Sequence, residues 1–367
     1  MEVMEAPVRR KRDREKLFIV DTDVHHGFKS WSDLNPYLPQ VYAERLRDHG
    51  GSGPSSQYWH NGGMRGTRAD FLDMSDTLES TRRQLLDDCE IDIAILTGSS
   101  ASGACNMPDA EFGSAICRAF NDYTLEHWVA SDERFRVAIT VNTQDPFGMA
   151  NEIDRIGSHP AVVAIIMPGG ATKPYGNRVY DPIYEACERN QLAVMIHFGG
   201  EGVGINGPPT AAGWPSHYVE GRMMRAPVYM AHMASFIFEG TFEKFPGLRV
   251  INVEAGFAWM PWYLWRMDSD WKALRYQVPW VKKPPSEYVK EHVRLNTQPI
   301  DEPENERDLE QIIEWMHGDT ILLFGSDFPH FDFDDPRKTL TRLPDNLRRR
   351  IFGESALETF PKLRPPE

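Results

Sequence analysis

Eight short apolar runs, each separated from the next by a polar or amphipathic stretch, constrain this chain more than any other feature. They cover residues 17–25, 93–98, 135–142, 162–168, 192–199, 248–256, 292–297 and 321–327. Each is continuously hydrophobic rather than alternating, as strands buried on both faces of a parallel sheet must be. Segments with helical spacing stand between them, among them 76–90, 109–130, 146–156, 182–190 and 308–317. Strand–helix alternation repeated eight times predicts an α/β chain folded as a (β/α)8 TIM barrel. An open doubly wound sheet is the alternative, but it usually has a glycine-rich turn after its first strand. Here that turn is Asp21-Thr22-Asp23-Val24-His25-His26.

The chain has 367 residues, a length that an α/β barrel with long loops fills as one domain. One barrel domain is therefore expected over 17–367, ending in C-terminal helices, after a charged, disordered tail over 1–16. Forty basic and 54 acidic side chains leave a formal charge of −14, which repels nucleic acid and anionic membranes. No run reaches the ~20 apolar residues of a membrane span, and no signal-peptide core follows the basic start. Four cysteines without a C-x-x-C pair read as reduced thiols in a cytoplasmic protein. Three connections, 26–75, 200–220 and 271–291, exceed ordinary barrel loops. The first two follow strands directly, so they project from the C-terminal face, where barrel active sites lie.

Acidic and imidazole side chains collect at four strand ends. They are Asp23 and His25 after the first run, His197 in the fifth, Glu254 in the sixth, and Asp327 with His330 in the eighth. Residues i and i+2 of a strand share a face, so Asp23 and His25 can hold one ion, with Asp21 a step deeper on the same face. Two imidazoles and two carboxylates suit Zn²⁺ or Mn²⁺. The expected metal ligands are thus Asp23, His25, His197 and Asp327, around one divalent ion, zinc first and manganese second. Taken singly, each has a plainer reading: a hydrogen-bonded structural His, a capping Asp, a turn Asp. Their arrival at one rim is what favours a site. Glu254 and His330 are the candidate acid–base groups, with the ligand Asp327 beside them. The plainer alternatives are a salt bridge from Glu254 to Arg266 and a loop bond from His330 to Asp332 or Asp334. His26 faces away from His25 and His232 lies on a helix, so packing roles are expected for both.

These motifs resemble the amidohydrolase-2 family, relatives of aminocarboxymuconate-semialdehyde, resorcylate and carboxyvanillate decarboxylases. The residues that carry the resemblance are Asp21-Thr22-Asp23-Val24-His25, Ile196-His197-Phe198-Gly199, Phe245-Pro246-Gly247-Leu248-Arg249-Val250 and Gly325-Ser326-Asp327-Phe328-Pro329. The closing Ile351-Phe352-Gly353-Glu354-Ser355-Ala356 looks like the family's last helix, with Ser355 where Asn is usual. The resemblance implies a single divalent metal and a homodimer or homotetramer. No lysine in residues 165–170 suggests the bridging ligand of two-metal relatives. Strand six departs from the family, because Glu254 stands where its decarboxylases typically carry His.

Two chemistries follow. In the first, metal-activated water attacks a carbonyl of a small cyclic or aromatic compound, with Glu254 or His330 taking its proton. In the second, an aromatic or unsaturated carboxylate is protonated on carbon and loses CO₂. The missing strand-six His places hydrolysis first and decarboxylation as its alternative. A catalytically inactive binding barrel comes third, because an idle site would be free to lose Asp327 or His197. The partner in every case is a small molecule. Trp214, His217, Arg178, Phe257 and Trp259 are candidate substrate contacts, and Trp31, Tyr58 and Tyr218 could add to an aromatic wall. Lys173, Arg222 and Arg225 are further cations near the loops of that face, where one could pair with a substrate carboxylate.

Overall fold

The computed structural model describes residues 17–48, 53–54, 77–98 and 101–365. The tail over 1–16, Tyr58 and most of the glycine-rich tip near residue 50 lie outside the described residues. Eight parallel strands follow one another around a single sheet in sequence order: β1 (Val20–Val24), β2 (Ile93–Leu96), β3 (Phe135–Thr140), β4 (Val162–Pro168), β5 (Ala193–His197), β6 (Val250–Val253), β7 (Val293–Asn296) and β8 (Leu322–Leu323). The ring closes between its last and first strands. Thr22 donates its amide to the Phe324 carbonyl at 3.0 Å, and His25 to that of Phe328 at 2.8 Å. The fold is the (β/α)8 barrel that the alternation of runs predicts.

Helices cover the strands: α1 (Ala110–Tyr123), α2 (Pro146–Ile156), α3 (Asp181–Asn190), α4 (Arg225–Phe238), α5 (Met260–Leu274) and α6 (Glu306–Trp315). The sequence itself starts several of them. The Asp109 and Asp145 side chains cap the first amides of α1 and α2, accepting from Phe112 and Gly148. Strand alternation then sorts the core. In β5, Val194 and Ile196 pack outward against the helices, while Ala193 and Met195 join the inner cluster with Ile95, Ile251 and Leu323. Phe360 and Leu363 join that inner cluster from the C-terminal segment. His197 continues the inward series of β5 and therefore arrives at the barrel mouth.

The strands are shorter than their apolar runs. The run 321–327 contains only two strand residues, and Gly318–Ile321 before them is a helical turn. At the other end the chain leaves the ladder to build the mouth: Glu254 and Asp327 adopt φ of 61° and 60°, the left-handed region that a non-glycine residue enters at a cost. The connection 271–291 is also less irregular than expected, because α5 runs into it and Pro285–His292 is helical. Among the described residues, no helix is long and apolar enough to cross a membrane.

Candidate metal centre

Asp23, His25, His197 and Asp327 converge at the C-terminal mouth, each buried, with one donor atom apiece inside a 4.8 Å span. His25 Nε2 lies 2.8 Å from Asp327 Oδ1 and 3.8 Å from Asp23 Oδ1, and His197 Nε2 lies 3.6 Å from Asp23 Oδ1. The His197 ring is oriented by its far nitrogen, since Nδ1 donates to the Phe198 carbonyl at 2.7 Å. Its Nε2 is buried with no hydrogen-bond partner. A buried, orphaned imidazole nitrogen beside two carboxylates is the donor chemistry a divalent cation satisfies. The four residues therefore fit a metal ion.

The carboxylates are held as firmly as the imidazoles. Thr97 Oγ1 donates to Asp23 Oδ1 at 2.8 Å, and Gln298 Nε2 to Asp327 Oδ2 at 3.0 Å. Asn296 Nδ2 reaches Asp23 Oδ2 at 3.4 Å and also accepts, through Oδ1, the Glu254 amide at 2.9 Å. One β7 side chain thus ties β1 to β6. Asp21, one step deeper than Asp23, accepts from the Ser326 amide at 2.9 Å and pins β8 to β1.

Electrostatics follow from crowding carboxylates and imidazoles away from water. Burial opposes a charged His197, yet Asp23 and Glu254 outweigh it and raise the ring to about 10. Burial likewise opposes the Asp327 charge, but His330 and His25 win and hold that carboxyl well below the usual range. Burial pushes Glu254 up to about 7 against the opposing pull of Arg225. A site that draws a proton onto His197 this strongly offers the same attraction to a metal cation, which competes with that proton.

Glu254 points into the mouth, with Oε2 3.8 Å from His197 Nε2. Its Oε1 is paired with Arg225 of α4, whereas Arg266 pairs with Asp270 at 2.6 Å. Arg222 similarly pairs with Asp332. His330 bonds to Asp327, Nδ1 to Oδ1 at 2.6 Å, rather than to Asp332 or Asp334. His26 and His232 pack away from the mouth: His26 Nε2 meets Thr124 Oγ1 at 2.8 Å, and His232 donates to the Gly169 carbonyl at 2.7 Å.

The proposed aromatic wall is more dispersed. Trp214 is exposed on the strand-five loop, and His217 caps the short helix Tyr218–Arg222. Arg178 is exposed at the start of the turn Arg178–Tyr180, whose Tyr180 is buried. Phe257 lies wholly in the core, and Trp259 donates to the Ala255 and Gly256 carbonyls, both at 3.1 Å. Sequence reasoning missed Gln298, Asn296, Thr97 and Glu201. Glu201 takes the Gly199 amide on Oε2 at 2.9 Å, its other oxygen is buried without a partner, and burial raises it to about 7. Position was the available signal, since each of the four sits at or just beyond the C-terminal end of a strand.

A family model described as amidohydrolase matches residues 96–362. The match begins after the first ligand pair, which stands outside it. Two gamma-resorcylate decarboxylases are similar to this chain. The one from Rhodococcus jostii is 25% identical over 66% of this chain and 70% of its own length. The one from a Rhizobium species is 24% identical over 79% and 86%. Among solved structures, 5-carboxyvanillate decarboxylase from Novosphingobium aromaticivorans, complexed with manganese and a nitrobenzoic acid, superposes with a TM-score of 0.70 at 18% identity. That superposition covers 94% of this chain and 96% of the relative, and at that identity it speaks for the fold. With more than half its length matched by the family model, and a mouth built as a divalent-metal site, the chain belongs to the amidohydrolase family.

Proposed function

We propose that this protein is a metal-dependent, non-oxidative decarboxylase of an aromatic carboxylate. The observation that carries the reading is its similarity to the gamma-resorcylate decarboxylases, up to 79% of this chain, joined to a four-residue donor cluster at the barrel mouth. Hydrolysis, put first on sequence grounds because Glu254 replaces a histidine, thereby yields to its alternative. Asp23, His25, His197 and Asp327 would hold the ion. Two carboxylates among the donors, and manganese in a structural relative, favour Mn²⁺ over Zn²⁺. When bound, the ion supplies a Lewis acid for a substrate's carboxylate and ortho oxygen.

The remaining work is proton delivery. The ring carbon gains a proton on a π electron pair of the ring, the bond to the carboxyl carbon then breaks, and its electron pair returns to the ring as CO₂ departs. Glu254 Oε2 is the proton-carrying atom on the β6 side of the mouth, because Arg225 occupies Oε1. Arg225 fixes the carboxyl plane. His330, anchored through Nδ1 on Asp327, borders the same space from β8 and relays protons to and from solvent. The deciding experiment feeds Mn²⁺-loaded enzyme a panel of hydroxybenzoates, lactones and cyclic amides, with headspace CO₂ and product mass as readouts. CO₂ from a hydroxybenzoate is expected. A hydrolysed lactone or amide with no CO₂ from any acid would overturn the reading.

A further inference from the structure

The chain after β5 delivers two arginines to the mouth: Arg222 at the end of the short helix Tyr218–Arg222, and Arg225 at the start of α4. Each meets a carboxylate. Arg225 pairs with Glu254 just beyond β6, and Arg222 with Asp332 in the loop after β8. Those carboxylates adjoin the metal centre. Glu254, Asp327 and Asp332 offer one oxygen apiece within 4.8 Å of one another, a second set of cation donors that shares Asp327 with the first. An all-oxygen set of this kind suits a hard divalent ion.

Here, however, protein cations already serve that set. Arg225 is 5% exposed, and its Nε and Nη1 have no hydrogen-bond partner. Its guanidinium lies 4.8 Å from the centre of the Phe198 ring. The carboxylates it faces are Glu254, Asp327 and Asp332, the same three. A guanidinium buried with so few hydrogen bonds is tolerated only among opposite charges. Across the two overlapping sets stand four carboxylates, Asp23, Asp327, Glu254 and Asp332. One divalent ion balances two of them, and Arg222 and Arg225 balance the other two.

We propose that Arg222 and Arg225 act as the second cation of the mouth, neutralising the Glu254–Asp327–Asp332 set and limiting the protein to one divalent ion. Unlike a metal, a guanidinium does not exchange with ions in solution, and this one leaves Glu254 Oε2 unligated. The inference rests on the metal centre, not on which reaction that centre performs.

The test counts ions. Metal-stripped wild type, Arg225→Met, Arg225→Lys and Arg222→Met are dialysed to equilibrium against Mn²⁺, and bound ion is read by elemental analysis and electron paramagnetic resonance. The wild type should hold one Mn²⁺ per chain. Arg225→Met removes the charge while keeping much of the bulk, and should hold two; sharing Asp327, they couple magnetically and broaden the resonance. Arg225→Lys keeps the charge and should stay at one. Melting temperatures establish which variants are folded. Should Arg225→Met fail to fold, Arg222→Met carries the comparison with the same second ion expected. A folded methionine variant that holds one ion or none, or a wild type that takes two, would overturn the proposal. No substrate or CO₂ enters these readouts, so failure here is distinct from failure of the decarboxylase reading.

Discussion

At the scale of single residues, the proposed function divides the mouth into groups that would hold a cation and groups that would act on what it holds. Asp327 belongs to the first set and touches both His25 and His330. Asp327→Ala should therefore cost metal and activity together, by more than about a hundredfold in metal affinity, since even outer partners of ligands cost 10–100-fold. Metal analysis after gel filtration checks it. Glu254→Gln keeps the shape and the Asn296 contact to its amide but removes the ionisable proton. Turnover should fall by about 10²–10⁴ with metal content unchanged. Loss of metal in that variant would make Glu254 a ligand. The left-handed backbone at both residues shows how the positions are reached. A strand end aims its side chain into the barrel or out of it, and φ near 60° turns the chain so that a carboxylate meets the mouth from the rim.

At the scale of elements, the loops after β4 and β5 meet backbone to backbone at Gly170 and Gly200. A Cβ on Gly170 would lie 2.2 Å from the Gly200 carbonyl carbon and 2.4 Å from the Glu201 nitrogen. Both are backbone atoms, which cannot swing aside. Gly170→Ala should destabilise the protein by about 1–3 kcal/mol, measured by urea unfolding, through overpacking rather than lost burial. Elements were the most legible level of the sequence, because a doubly buried strand needs a continuous apolar run and a covering helix needs a 3.6-residue stripe. Val162–Pro168 and Pro146–Ile156 fall where those patterns put them. The four candidate ligands were legible for the same reason: strand ends locate them, and β5 alternation aims His197 inward. Arg225 and Gln298 were not assigned their partners. Arg225 pairs with Glu254 from 29 positions away, and Gln298 reaches Asp327 across a strand boundary, so only the closed ring reveals what they touch.

At the scale of the whole molecule, stability depends on pH through a buried histidine that stands outside the candidate ligand set. His232 on α4 accepts the Tyr175 amide on Nδ1 at 3.2 Å and donates from Nε2 to Gly169, so both ring nitrogens are in use with one proton. Burial lowers it from the ordinary 6.5 to about 4. Below 6.5 the unfolded chain takes up a proton that the folded chain refuses, so stability falls with pH down to about 4 and then levels. The contribution is at most about 1.4 kcal/mol per pH unit within that window, and nothing above it. Unfolding free energies of wild type and His232→Gln, compared from pH 7.5 to 4, should show a shallower slope in the variant. Equal slopes would remove His232 from the account.

The ring closure between β8 and β1 bears on how the protein is made. His25 and Asp327 touch although 302 positions of chain separate them. At translation rates of about 5–20 residues per second, roughly 15–60 s pass between the synthesis of the two. During that interval Asp23 and His25 exist without their eighth-strand counterpart, so an ion there would be held by two of the four candidate ligands, and by three once His197 is made. Full metal capture is therefore a late event in the life of each nascent chain, and a ribosome that stops before residue 327 leaves a product unable to complete it.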